Sequence, residues 1–132
     1  MLNKANLSQL FDLKIPATPS QIHAAEAKVG LSFPKEYVDF LLIANGLNST
    51  GRLALHEIEI LPERNIEYEV KKYIPGYFMI GDDSGGQAIL IDAAGEIFEV
   101  GMGVMNSKFM KRSADSLSDL LINLKGLTLG ER

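Results

Sequence analysis

The sequence predicts an α+β fold in which helices pack on a mainly antiparallel sheet containing a meander. Two capped amphipathic segments lie between Thr18 and Gly46. Three short β-rich runs, residues 77–81, 87–91 and 96–100, follow one another with only turn residues between them. A last apolar-striped segment covers residues 115–126. Helices grouped apart from a run of consecutive strands are the pattern of an α+β domain rather than of a parallel α/β sheet. The 132 residues are expected to form one domain spanning 1–132.

The first helix opens at Thr18, a good N-cap. Pro19 stands in its first turn, Gln21 completes a Thr-x-x-Gln capping box, and Gly30 ends it. Ile22, Ala25 and Val29 form its apolar stripe. A second helix is expected from Pro34, with Tyr37, Phe40, Leu41 and Ala44 facing inward and Gly46 as a left-handed stop. The segment "RLALHEIEIL" reads as extended chain with a break near His56, and "PERNIEYEVKKYIPG" as a weak helix ended by Pro75. In the last segment Ser116 is the expected N-cap, Leu117, Leu120, Leu121 and Leu124 the core stripe, and Gly126 the stop.

Between the first two β-rich runs lies Gly81-Asp-Asp-Ser-Gly-Gly86, one residue from the sequence around the nucleophile of chymotrypsin-like proteases. A phosphate-binding loop is excluded, because such a loop opens a helix and carries lysine, whereas here a strand follows and two aspartates stand in the loop. A protease is excluded too. The residue two before Ser84 is Asp82 where the oxyanion hole needs a glycine amide, and the only candidate bases are His23 and His56. A turn fits every residue. Asp82, Asp83 and Ser84 bond to nearby backbone, and Gly81, Gly85 and Gly86 serve the backbone geometry where the chain re-enters a strand.

With 46% apolar and 23% charged residues the composition is that of a globular protein. No apolar run approaches the ~20 residues that span a bilayer, and the polar residues breaking up the N-terminus leave no signal-like core. A cytoplasmic address is expected, consistent with the lack of cysteine, which also excludes disulfides and thiolate zinc sites. Two distant histidines and no calcium-loop pattern give no metal site, and no cofactor is expected. Met102, Met105 and Met110 read as gap-fillers beneath a loop, with an adaptable binding surface as the other use.

Charge is unevenly spread. The net value is −4, but residues 57–99 hold ten acids against three bases, a local −7. Such a segment repels a phosphate backbone and argues against nucleic-acid binding. It is either a solvated face or a surface that draws a basic protein partner by electrostatic steering. The candidates for that surface are Glu57, Glu59, Glu67, Glu69, Asp82, Asp83, Glu96 and Glu99.

Taken in order, Thr18-Pro19 with Glu26, "LSFPKEYVDFLLIANG", "IGDDSGGQAILID" and "ADSLSDLLINL" resemble the SUKH superfamily, proteins similar to yeast cell-wall assembly regulators, over about residues 16–125. Phe33 before the proline, where Leu is usual, and the lack of tryptophan depart from the pattern without touching the fold. The resemblance implies helices on a mainly antiparallel sheet and no catalytic residues. It further implies an immunity protein that binds and neutralises a cognate toxin, often a nuclease. A nuclease must be basic where it meets its substrate, so an acidic inhibitor face is the complement. The alternative from another class is a regulatory scaffold that binds a cellular protein. A small hydrolase would need a titratable cluster that these residues do not assemble.

Overall fold

Antiparallel pairing runs through the computed structural model, which describes residues 2–132. Seven strands lie side by side in the order in which the chain makes them. They are β1 (Phe11–Leu13), β2 (Leu47–Ser49), β3 (Ala54–Leu55), β4 (Tyr77–Asp82), β5 (Gln87–Asp92), β6 (Ile97–Gly101) and β7 (Lys111–Ala114). The helices fall before β4: α1 (Lys4–Leu10) precedes β1, α2 (Pro19–Val29) and α3 (Lys35–Ile43) connect β1 to β2, and α4 (Leu61–Glu67) and α5 (Val70–Tyr73) connect β3 to β4. The expected α+β fold is thus observed, and its sheet is a meander throughout.

The strands β4 and β5 are covered on both faces, which explains why they read as unbroken apolar runs rather than as alternation. Phe78, Ile80, Ile89 and Ile91 point into the larger core, where they meet Leu7 of α1, Ile22 of α2, Tyr37 and Phe40 of α3, and Leu117 and Leu121. Met79, Ala88 and Leu90 point the other way, into a smaller core with Val70 and Ile74. Met105 is buried there too, with Met102 and Met110 packed against it, so the methionines do fill space under a loop.

The helix α2 is capped as expected. Thr18 Oγ1 accepts from the Gln21 N–H at 3.2 Å, Gln21 Oε1 accepts from the Thr18 N–H at 2.9 Å, and Gly30 ends it at φ 82°. In α3 the expected inner residues are buried, but the helix stops at Ile43 with Ala44 extended, short of Gly46. The Asn45 N–H bonds to the Ile15 carbonyl there, turning the chain back toward the sheet. Gly46, at φ 100°, is instead a point of close approach, since a Cβ would stand 2.6 Å from the Leu55 carbonyl oxygen.

The expected extended run after Arg52 survives only as β3. Asn45 Oδ1 takes the Ile58 N–H at 2.9 Å, and residues 57–60 form a turn that leads into α4. The expected weak helix is divided at Glu69, which adopts a left-handed conformation, φ 52°, between α4 and α5. In the last segment the Ser116 cap holds, with its Oγ 3.0 Å from the Asp119 N–H. Residues Asp119–Asn123, however, widen into a π-helical turn. That rotates Leu124 to a half-buried position, while Leu117, Leu120 and Leu121 stay buried as expected.

Candidate functional site

The Gly81–Gly86 stretch is a turn held by its own side chains. Asp83 Oδ1 accepts from the N–H groups of Gly85 and Gln87, and Asp82 Oδ1 from that of Ser84. Positive φ falls on Ser84 (58°) and Gly86 (97°) rather than on Gly85. Gly81 lies inside β4, not in the turn, next to a bulge between Met79 and Gly81. A Cβ on Gly81 would collide with the Ala54 carbonyl, so glycine permits the close approach of β3.

Folding does bring His56, Asp82 and Ser84 near one another, yet not as a catalytic set. His56 Nε2 lies 2.9 Å from Asp82 Oδ2, and its Nδ1 is buried without a partner. Ser84 Oγ donates to the Arg52 carbonyl at 2.9 Å. No nucleophile is held by a base here, the relationship on which serine catalysis depends. Among the described residues no three His, Cys, Asp or Glu side chains converge as metal ligands.

The eight candidate acids separate into two groups. Asp83 and Glu99 are each 3% exposed and are engaged inside the fold. Glu99 Oε2 accepts from Ser113 Oγ at 2.7 Å and from the Leu129 N–H at 2.9 Å, fastening the segment beyond residue 127 to the sheet. Asp82 is half buried under His56, and Glu96 pairs with Arg112 at 2.7 Å on β7's side of the sheet. Alternation along β-strands and in the turn sends these four to different places.

Glu57, Glu59, Glu67 and Glu69 stay together on one stretch, and the structure adds Glu63, absent from the candidate set. Glu63 and Glu67 stand one turn apart on the exposed side of α4. From Glu57 to Glu69 the chain buries Ile58, Leu61 and Asn65 while leaving all five glutamates at least partly exposed, with Arg64 the only intervening base. Lys14 sits 3.1 Å from Glu57, Asn45 Nδ2 2.7 Å from Glu59, Arg64 4.0 Å from Glu67 and Lys72 3.5 Å from Glu69. The three ion pairs among these are exposed, contribute at most about 1 kcal/mol each and exchange readily. Ile66, 73% exposed, stands among these acids, giving an acidic ridge with an apolar point.

At the end of this ridge, α4 and α5 and the loop between β6 and β7 enclose a groove of about 460 Å³. Tyr73 (49% exposed), Phe109 (54%) and Val104 line it together with Glu67 and Glu69. The aromatic residues were not legible as a site, because they lie far apart in sequence in segments that carry no periodic pattern. The available signals were the methionines of this loop, read above as gap-fillers or an adaptable binding surface, and Phe109 directly after Asn-Ser-Lys.

A seven-stranded antiparallel meander backed by helices is an α+β domain of the kind expected above. The chain matches the SMI1 / KNR4 family (SUKH-1) over residues 16–123 and belongs to it. It is similar to the uncharacterized protein YnaB of Bacillus subtilis (strain 168), with 34% identity over 80 residues, 61% of this chain and 54% of the relative. The match thus spans about half the length of that relative. No helix among the described residues is long and apolar enough to cross a membrane.

Proposed function

We propose that this chain is a non-enzymatic protein-binding domain that acts as an immunity protein, neutralising a cognate toxin whose partner surface is basic, with a nuclease domain as the favoured class. Family membership supports the binding role. The observation that carries the acidic complement is the Glu57–Glu69 ridge, five carboxylates against one arginine on a connection anchored in the core by Ile58 and Leu61. Exposed like charges beside a rigid anchor steer an oppositely charged partner without needing a catalytic group. Such a role is exercised in the cytoplasm.

The test is co-expression of this chain with the toxin domain encoded beside its gene, scored as growth, together with direct binding of the two purified proteins. Restored growth and a stable complex are expected. Growth unaffected by the chain, or a stable complex with an unrelated cellular protein in place of the toxin, overturns the immunity reading, and the latter outcome favours a regulatory scaffold.

A further inference from the structure

We infer that the groove between α4–α5 and the β6–β7 loop seats a basic side chain of the protein partner, an arginine or lysine flanked by an apolar residue. This deepens the proposed function and rests on it for the partner's identity, but its chemistry is local. Tyr73, Phe109 and Val104 leave about half of their surface exposed around one groove. Large aromatic residues clustered on a surface are the material of binding hot spots, where they fill or form pockets at the centre of a contact. The lining also carries the carboxylates of Glu67 and Glu69 and no cation. Their present partners, Arg64 at 4.0 Å from Glu67 and Lys72 at 3.5 Å from Glu69, are exposed and held weakly, so a cationic occupant that displaces them is the one that complements this lining.

The chain itself shows how a cation is held beside this groove. Lys72 Nζ lies 3.5 Å from Glu69 Oε2 and 5.1 Å from the centre of the Tyr73 ring. The contact with Tyr73 foremost, and then Glu69, raises its pKa above the ordinary lysine value. Its side chain is 66% exposed, so the arrangement is weak and displaceable. A guanidinium suits the same two groups better, because it is planar, stacks on an aromatic face and can bond a carboxylate through two N–H groups. The floor is adaptable: Met102 and the buried Met105 pack on the smaller core and can shift to fit an apolar neighbour of that cation.

Two synthetic peptides test this on the full chain, acetyl-Phe-Arg-Leu-amide and acetyl-Phe-Gln-Leu-amide, titrated against ¹⁵N-labelled protein. The arginine peptide is expected to give saturable shifts at the amides of Glu69, Tyr73, Met102 and Phe109, with the glutamine peptide about tenfold weaker or more. Glu67→Gln with Glu69→Gln should remove that preference, and Tyr73→Ala with Phe109→Ala should weaken both peptides, in proteins whose melting temperature confirms folding. Shifts centred elsewhere, equal affinity for the two peptides, or no saturable shift at millimolar peptide overturns the groove assignment. Toxin neutralisation separates this from the proposed function. Neutralisation intact in the Tyr73→Ala, Phe109→Ala variant sinks the groove and leaves the immunity reading standing, whereas peptide binding without neutralisation sinks only the immunity reading.

Discussion

The side-chain amide of Asn65 takes both main-chain groups of Met79: its Nδ2 donates to the Met79 carbonyl at 3.0 Å and its Oδ1 accepts from the Met79 N–H at 2.7 Å. The strand β3 is two residues long and pairs with β4 only at Asp82 and Gly81, so the earlier part of β4 has no strand on that side. Asn65, buried on α4 and also bonded to the Leu61 carbonyl at 2.8 Å, stands in for the missing strand. Replacing it with leucine keeps the branched outline of the side chain, with larger methyl groups, but orphans two buried backbone groups, at about 1–3 kcal/mol each. Urea denaturation of Asn65→Leu should show a loss in that range or above. A loss under about 0.5 kcal/mol would mean that water reaches Met79.

Tyr37 presents the opposite case. Its ring packs against Phe33 and Phe78 in the larger core, but its hydroxyl is buried with no hydrogen-bond partner, and burial pushes its phenol well above the ordinary value of 10.0. Tyr37→Phe should therefore stabilise the fold by about 1 kcal/mol at neutral pH. With the folded pKa raised, stability is fully present below about pH 10 and falls as pH rises above it, because the unfolded chain then loses a proton that the folded chain keeps. The slope is at most about 1.4 kcal/mol per pH unit. The difference in stability between Tyr37→Phe and the wild type, measured from neutral pH upward, should widen above pH 10. A constant difference would mean that the phenol ionises alike in both states.

Phe40 and Leu120 are essentially inaccessible to solvent and lie on helical segments that pack on the same core. Truncation of either to alanine should cost about 2–5 kcal/mol, read as a shift in denaturation midpoint at constant slope. A cost below about 1 kcal/mol would show that the core collapses around the deletion.

Glycine at position 81 is required by space. Gly81→Ala should cost more than about 1 kcal/mol because the new methyl meets the β3 backbone. Gly103→Ala, whose Cβ would have nothing within 4 Å, should be close to neutral. Thermal unfolding of both variants checks the contrast, and equal effects would remove the close-approach argument.

The ridge is tested by charge. Reversal of Glu59, Glu67 and Glu69 to lysine should slow association with a basic toxin domain by about tenfold or more at low salt and flatten its dependence on ionic strength, with a smaller effect on dissociation. An association rate that does not change would mark these acids as a solvated face.

Local chemistry was enough to read α2, whose cap box and left-handed glycine act within a few residues, and the three long strands, whose β-rich runs are broken only by turn residues. The Asp82 and Asp83 side chains of the Gly81–Gly86 turn also act over two to four residues, so its nature was legible without the fold, whereas the expected local bond of Ser84 goes instead to the distant Arg52 carbonyl. The helix α1 and strands β1, β2 and β7 were not. α1 buries one residue, Leu7, and strands of two to four residues carry too little periodicity to be distinguished from loop; they exist because neighbouring strands offer them hydrogen bonds. The end of α3, where the Asn45 N–H meets the Ile15 carbonyl, and the turn at Ser118, whose N–H meets Glu36, were likewise set by contacts distant in sequence. The acidic segment was visible as composition, but a sequence cannot tell on which side of a sheet a carboxylate emerges. Pleat and turn geometry buried Asp83 and Glu99 as internal acceptors and left Glu57–Glu69 outside, and only the approach of the β6–β7 loop to α5 placed Phe109 and Tyr73 on the walls of one groove.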